Sequence, residues 1–72
     1  MSQDNTPMLT EQEKRILKQV SLGMTNQQIA RMFEIKERTV EYHLGEIFKK
    51  LNVTSRTAAA MKAEQMGILN GP

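Results

Sequence analysis

Apolar residues recur every three or four positions in four separate segments of the chain, which is the period of an amphipathic helix. Polar and turn-forming residues separate these segments. The strict alternation of apolar and polar residues that marks a half-buried strand does not occur. The pattern therefore predicts an all-α fold, a four-helix bundle. We expect its helices to span about residues 11–22, 26–33, 37–51 and 55–66.

Residues that start and stop helices occur at the ends of these segments. Thr10 with Glu13, and Thr25 with Gln28, have the spacing of a capping box, in which the side chains and backbone at a helix start bond reciprocally. The first helix should therefore begin after Thr10 and the second after Thr25. The other boundaries are indicated by Thr54 or Ser55 before the fourth helix and by Gly23, Asn52 and Gly67, which suit helix ends.

The chain divides into a domain and two short flanks. Residues 1–8 are polar and include Pro7, so we expect a disordered leader or linker there. Residues 9–69 should form the helical domain, and residues 70–72 a tail. A chain of 72 residues makes one small domain, whose core is marginal because it buries only roughly 60% of its unfolded surface.

Composition excludes several classes of protein. There is no cysteine, and the single histidine, His43, cannot build a metal cage or a catalytic triad by itself. We find no nucleophile–base pair and no glycine-rich phosphate loop, so we expect no enzyme, metal or cofactor. No apolar run approaches the roughly 20 residues of a membrane span and no signal peptide is evident, so we expect a cytoplasmic location. The net charge of +2 permits nucleic-acid binding.

The third predicted helix has two contrasting faces. One side is an apolar stripe typical of a core, made of Val40, Leu44, Ile47, Phe48 and Leu51. The opposite side is either a solvated polar face, as on most surface helices, or a contact surface. Glycine in the middle of a helix costs about 1 kcal/mol relative to alanine, which favours a contact surface. This opposite side consists of Arg38, Tyr42, Gly45 and Lys49, with Glu41 at its margin.

The predicted order of a short helix, a tight turn at residues 34–36 and a longer helix is that of a helix-turn-helix unit. In this motif the second helix enters the DNA major groove and the first crosses the backbone. The start of the helix at 26–33, with Thr25, Asn26 and Gln27, would then face a phosphate, because free amides and the helix dipole attract an anion. Alternatively Thr25 serves only as a cap, and both roles are compatible.

Three stretches together carry a family resemblance: LTEQE at 9–13, GMTNQQIA at 23–30 and IKERTVEYHLGEIFKKLNVTSR at 35–56. From Leu9 to Leu69 the chain resembles a LuxR-type (GerE-like) DNA-binding domain. The resemblance implies a four-helix bundle whose third helix reads the major groove and whose fourth forms a homodimer. It also implies a bacterial transcription regulator with an autoinducer-binding or receiver domain. The ending AAAMKAEQMGIL resembles the autoinducer-responsive, quorum-sensing branch more than the receiver branch.

Among the residues that depart from the family's pattern, three change the expected site. Lys36 stands where the family commonly has serine, so the third helix lacks its usual side-chain cap and Lys36 can contact a phosphate instead. Glu41 stands where many members have lysine or arginine. A carboxylate there repels phosphates but can accept a hydrogen bond from a cytosine amino group. Gly45 removes a side chain at a position where members contact DNA.

These observations assign roles in DNA binding. The residues expected to read bases are Glu41, Tyr42 and Gly45. Those expected to contact phosphates are Thr25, Asn26, Gln27, Lys36, Arg38, Lys49 and Arg56. The assignment of Arg56 rests on the resemblance, and the alternative is a solvated residue at a helix start. We interpret His43 as a packing residue, with a phosphate contact as the alternative, and we place Lys50 along the flank of the bundle.

The fourth predicted helix is rich in small residues, which allow two helices to approach closely. One side, with Ala59, Ala63 and Met66, should cover the first three helices. The other side would meet a twofold-related copy in a weak homodimer that reads a pseudo-palindromic site. The residues expected in this dimer interface are Ala58, Met61, Lys62 and Gln65.

The sequence thus predicts a transcription regulator, or its DNA-binding domain, that binds double-stranded DNA sequence-specifically. RNA polymerase is a further candidate partner of such a regulator. The alternative is a helix-turn-helix module used for protein–protein regulation with weak DNA binding. Glu41 and the modest positive charge keep that alternative open.

Overall fold

The computed structural model describes residues 9–68, and these residues form four helices and no strand, as predicted. The expected leader at 1–8 and the expected tail at 70–72 lie outside the described residues, as does Leu69. The helices are α1 (Glu11–Ser21), α2 (Asn26–Phe33), α3 (Glu37–Leu51) and α4 (Arg56–Gln65).

The helix starts follow the capping chemistry of the sequence. Thr10 and Thr25 form both predicted capping boxes, at the starts of α1 and α2. Ser55 caps α4, because its Oγ accepts a hydrogen bond from the Ala58 N–H at 3.1 Å. Helix α4 therefore begins one residue later than expected. Lys36 provides no side-chain cap for α3, as expected from the missing serine.

A residue in the left-handed conformation follows each of the four helices and helps to reverse the chain. Gly23 and Asn52 adopt φ angles of +89° and +59°, as their residue types predict, and Gly67 follows α4 with φ +77°. Glu34 ends α2 with φ +57°, which its residue type does not indicate. After Gly23, Glu34 and Asn52, the next N–H bonds to the carbonyl five residues back at 3.0–3.1 Å, a Schellman arrangement that fixes each turn.

The core lies where α1 packs on α3 and α4, and α2 is attached to it mainly through α3. Helix α2 contributes Ile29 and Ala30 to the core, with Phe33 packed against it. Met32 follows Ile29 at helical spacing, but it is 53% exposed, because it lies one turn after the exposed Gln28. The buried apolar residues are Leu9, Ile16, Leu17, Val20, Ile29, Ala30, Val40, Leu44, Ile47, Leu51, Ala59 and Ala63.

Candidate nucleic-acid interface

The side of α3 that points away from the core is exposed along most of the helix. It consists of Arg38, Glu41, Tyr42, Gly45 and Lys49, and we call this set the outer face of α3. Tyr42 is 65% exposed, and its ring meets the ring of the neighbouring His43 edge-on, with centroids 5.6 Å apart. His43 itself is half-buried, as expected for a position between the core and solvent faces.

Gly45 lies at an open position in the middle of the outer face of α3. A Cβ placed on Gly45 would have no neighbouring atom within 4 Å, apart from the helix's own backbone and adjacent residues. Packing within the described part of the chain therefore does not require a glycine here. The lost helix propensity, about 1 kcal/mol, has no compensation inside the domain, which favours a contact with something outside it.

Most charged side chains on this side of the domain are exposed and accessible to a ligand. Lys49 pairs with Glu46 at 3.4 Å, but its side chain is 76% exposed. Such a surface pair is worth only about 0–1 kcal/mol and is easily exchanged for a phosphate. Arg38 and Lys36 are exposed at the start of α3. Glu41 is also exposed and brings a negative charge to the outer face of α3, which is therefore not purely basic.

The start of α2 presents backbone amides at the surface. The Thr25 N–H donates to Gln28 Oε1 at 2.9 Å, and the Gln28 N–H donates to Thr25 Oγ1 at 3.1 Å. The first intrahelical bond, from the Ile29 N–H to the Thr25 carbonyl, comes after the amides of Asn26 and Gln27, which are left without an acceptor in their own helix. These two amides and the helix dipole suit an oxygen anion.

Arg56 has partners within the chain that the sequence did not indicate. Its two terminal nitrogens donate to Asn26 Oδ1 and to the carbonyl oxygen of Met24, both at 2.6 Å. The guanidinium therefore joins the start of α4 to the start of α2. The role in phosphate binding that the resemblance suggested for Arg56 stays a prediction, and the side chain has this second role beside it.

Lys50 lies along the flank of the bundle, as predicted, and forms an ion pair that joins α3 to α1. Its Nζ donates to Glu13 Oε1 at 2.8 Å, and the Glu13 side chain is only 8% exposed. Burial acts to raise the pKa of Glu13. Hydrogen bonds from Lys50 and the Thr10 N–H, together with the charge of Lys50, outweigh it and hold that pKa below its usual value. Lys50 thus stabilises the packing of α1 on α3, whereas the neighbouring Lys49 is exposed to solvent.

The two sides of α4 differ as the sequence indicated. Ala59 and Ala63 are fully buried against the other helices, and Met66 packs against the core. On the other side Met61 is 57% exposed, Lys62 and Gln65 are exposed, and Ala58 is half-buried. This second side is available in the monomer, and its role as a dimer interface stays a prediction.

The helix-turn-helix geometry agrees with what is found among known proteins. The sequence model of the luxR family of bacterial regulatory proteins (GerE) matches residues 7–63, most of the chain. The chain belongs to this family. It is a LuxR-family helix-turn-helix DNA-binding domain of the kind found in transcription regulators.

Several relatives of this LuxR-family domain are regulators of known name. The chain is 46% identical over 68 residues to the transcriptional regulatory protein ComA of Bacillus subtilis, covering 94% of this chain and 32% of ComA. It is 41% identical over 59 residues to the nitrate/nitrite response regulator NarP of Escherichia coli, covering 82% of this chain and 27% of NarP. The chain therefore spans about a third or less of the length of these relatives.

A solved structure supports the same assignment. One chain of the crystal structure of the anti-activator RapF complexed with the DNA-binding domain of the response regulator ComA superposes on this chain with a TM-score of 0.78. The two are 47% identical, and the match covers 79% of this chain and 98% of the other. ComA and NarP are response regulators, so these relatives do not single out the autoinducer-responsive branch of the LuxR family.

Residues 9–68 contain neither a candidate membrane span nor a candidate metal site. No helix there is long and apolar enough to cross a membrane. Over the same residues, no group of three or more histidine, cysteine, aspartate or glutamate side chains could hold a metal ion. The LuxR family is one of bacterial transcription regulators.

Sequence reasoning found the outer face of α3 and the start of α2 but missed the contacts that hold them. The bond between Arg56 and Asn26 joins residues 30 positions apart, and the one between Lys50 and Glu13 joins residues 37 apart. No local spacing signals such pairs. The sequence contained a weak indication of the bond between Lys50 and Glu13. Glu13 belongs to a capping box and Lys50 lies beside the core stripe of α3, so both side chains start close to the bundle interior.

Proposed function

We propose that this domain binds double-stranded DNA with sequence preference, inserting α3 into the major groove. The observation that carries the proposal is the outer face of α3, which is exposed although it contains Tyr42 and an open, mid-helix Gly45. Neither residue is explained by packing within the domain. A helix-turn-helix unit uses this face for base contacts. Such a regulator would act in the cytoplasm, where bacterial DNA lies.

Three residues on this face would read bases. Tyr42 has a flat apolar body that can meet a thymine methyl group and a hydroxyl that can meet a base or phosphate. Glu41 can accept from a cytosine amino group, a contact worth about 1–3 kcal/mol of discrimination. Gly45 would let the helix backbone sit deeper in the groove, because nothing projects there.

A second set of residues would position the domain on the phosphates. The amides of Asn26 and Gln27, beside the Thr25 cap, suit one phosphate at the start of α2. The charged groups Lys36, Arg38 and Lys49 are exposed on the same helix-turn-helix unit. Arg56 is a further cation near this surface, half-buried beside Asn26.

Binding as a homodimer would use the exposed side of α4. Ala58, Met61, Lys62 and Gln65 form a surface of small and flexible residues around one exposed methionine. A contact of this size is small, so we expect the isolated domain to dimerise weakly, chiefly on DNA. Two protomers related by a twofold axis would read a pseudo-palindromic site.

A protein partner is the second candidate function. The domain of ComA, which is similar to this chain, is complexed with the anti-activator RapF in its crystal structure. A regulatory protein could therefore bind this domain too. RNA polymerase as a partner, and an autoinducer-responsive origin, stay predictions.

Selection of bound sequences from random duplexes, followed by a salt titration, tests the main proposal. We expect a specific duplex to be retained over a scrambled one, with affinity falling steeply as salt rises because phosphates are neutralised. Equal retention of both duplexes across the series would contradict sequence readout. No retention at low salt would favour the protein partner.

Two variants separate base reading from phosphate binding. Glu41→Ala should relax the preference at one position of each half-site and could strengthen non-specific binding, since a repulsive charge is lost. Lys49→Ala should weaken binding to all sequences and reduce the salt slope by about one unit per protomer. If selection with Glu41→Ala returns the wild-type motif, specificity comes from Tyr42 or from DNA shape.

The Gly45→Ala variant tests the close approach of α3. Because a Cβ fits there in the free domain, alanine should raise the free energy of unfolding by up to about 1 kcal/mol. The same Cβ should lower affinity for the selected duplex. Denaturant unfolding and a binding titration measure the two effects, and unchanged affinity would show that the groove leaves room for a side chain.

The Met61→Glu variant tests the dimer. Two carboxylates facing each other across the twofold axis would be desolvated and would repel. We expect sedimentation of the protein–DNA complex to show loss of the dimer, while circular dichroism shows an intact fold, because Met61 is exposed in the monomer. A fold that melts as badly as the dimer would place Met61 in the core.

A further inference from the structure

The Arg56 side chain forms hydrogen bonds that join the start of α4 to the start of α2. Helix α2 packs mainly on α3, whereas α4 packs mainly on α1. Arg56 connects the two helices, because its two terminal nitrogens donate to Asn26 Oδ1 and to the Met24 carbonyl. Both acceptors lie at the start of α2, where the free amides of that helix are found.

This contact determines which end of the Asn26 amide faces outward. A guanidinium can only donate hydrogen bonds, so Asn26 must turn its oxygen toward Arg56. The Nδ2 group, with two donors, then lies at the opposite end of the planar amide and points away from Arg56. At the start of α2 those donors are added to the backbone amides of Asn26 and Gln27, all of which favour an anion.

We propose that Arg56 is a positioning residue for DNA binding, which orients Asn26 with its Nδ2 donors toward a phosphate and ties the helix that crosses the DNA backbone to α4. The inference rests on the proposed function, because it assumes that the start of α2 contacts DNA. It differs from the role suggested by the family resemblance, in which Arg56 itself neutralises a phosphate.

The planar fork of arginine is essential to this role. Two nitrogens of one rigid group reach two acceptors at once, which a lysine ammonium on a flexible stem does not reproduce. Arg56→Lys therefore retains the charge and removes the fork. We expect affinity for the selected duplex to fall about tenfold, the loss typical of a charge-assisted hydrogen bond, while the salt slope stays the same.

A double-mutant cycle with Asn26→Ala identifies the residue through which Arg56 acts. Asn26→Ala should itself weaken binding, and adding Arg56→Lys should then have a much smaller effect than it has in the wild-type background. Arg15→Lys is the matched control, since Arg15 is an exposed arginine on α1, and it should change neither affinity nor slope. Thermal melting of each variant reports any general loss of stability.

The free domain provides a test that does not involve DNA. The side-chain amide resonances of Asn26 should shift in the nuclear magnetic resonance spectrum of Arg56→Lys and stay in place in Arg15→Lys. Unchanged Asn26 resonances in Arg56→Lys would overturn the proposal about Arg56 alone.

The binding data can also overturn it. If Arg56→Gln flattens the salt slope by about one unit per protomer and its effect adds to that of Asn26→Ala, then Arg56 is a direct phosphate ligand. Failure of the wild-type domain to retain any duplex at low salt would instead overturn the proposed function. Equal loss of affinity in both Asn26 backgrounds, in step with a lower melting temperature, would leave Arg56 a purely structural residue.

Discussion

The two capping boxes of this domain have nearly the same geometry and opposite surroundings. At α1, the Thr10 N–H donates to Glu13 Oε1 at 2.9 Å and the Glu13 N–H donates to Thr10 Oγ1 at 3.0 Å. At α2, the corresponding distances involving Thr25 and Gln28 are 2.9 and 3.1 Å. Yet Glu13 is buried beside Lys50, whereas Gln28 is exposed.

The chemical difference between the boxes matches these surroundings. A carboxylate at Glu13 is stabilised by the ammonium of Lys50, which ties α1 to α3. An uncharged amide at Gln28 caps α2 without placing a negative charge where a phosphate is expected. The same local motif thus joins two helices in one place and leaves an exposed, uncharged helix start in the other.

The largest expected effect on stability comes from breaking the capping box at α1, whose Glu13 is buried. Glu13→Ala removes the reciprocal cap and leaves the Lys50 ammonium, whose side chain is 33% exposed, without its partner, so the free energy of unfolding should fall by about 2 kcal/mol. Denaturant unfolding measures this loss. The control is Glu11→Ala, since that side chain is 86% exposed and its removal should cost less than about 0.5 kcal/mol. Equal losses in the two variants would contradict a special role for the buried carboxylate.

Acid should weaken the buried box and leave the exposed one unaffected, since glutamine does not titrate. The pKa of Glu13 is held below its usual value in the folded state, although burial alone would raise it. A lowered folded-state pKa contributes stability above the unfolded value of about 4.3, and this contribution is lost as pH falls through the folded pKa.

Comparison with Glu13→Gln isolates that contribution, because the amide retains the cap and loses the charge. The difference in unfolding free energy between wild type and Glu13→Gln should be constant near neutral pH. It should shrink as pH falls below about 4. A difference that persists unchanged at pH 3 would mean that shape or packing, rather than ionisation, distinguishes the two side chains.

The sequence was sufficient for most of the fold because the fold is built from local signals. Both threonine caps, the stripe from Val40 to Leu51 and the left-handed Asn52 are properties of neighbouring residues. The outer face of α3 was predictable for the same reason, because helical period alone separates it from the core stripe.

The features that were missed depend on residues distant in sequence or on surrounding packing. The bonds of Arg56 to Asn26 and Met24 could not be read from spacing, because they require the packed bundle. Glu34 takes a left-handed conformation that the turn imposes rather than its residue type.

Removing the threonine from each box should cost a similar amount of stability and affect binding at only one of them. Thr10→Ala and Thr25→Ala should each lower the free energy of unfolding by about 1 kcal/mol, the usual value for a lost cap. Only Thr25→Ala should also weaken binding to the selected duplex, because only α2 is expected to face a phosphate. If Thr10→Ala reduces affinity as much, the effect on binding reflects stability alone.

The smallest effect on stability, and the sharpest on function, should come from making the two boxes chemically alike. In Gln28→Glu the capping box has its common acidic form, and a carboxylate in the first turn suits the helix dipole. The free energy of unfolding should therefore stay constant or rise by a few tenths of a kcal/mol. DNA affinity should fall several-fold at low salt, because the new charge lies beside the Asn26 and Gln27 amides and repels the phosphate expected there.

This loss of affinity should diminish as salt screens the repulsion, whose range is about 10 Å at 0.1 M ionic strength. The matched control is Gln12→Glu, which adds the same charge to the exposed surface of α1 and should leave affinity nearly unchanged. Titrations of both variants with the selected duplex at several salt concentrations make the comparison. If Gln28→Glu binds as tightly as wild type, the start of α2 lies away from the DNA backbone, and the exposed box is no more than a second structural cap.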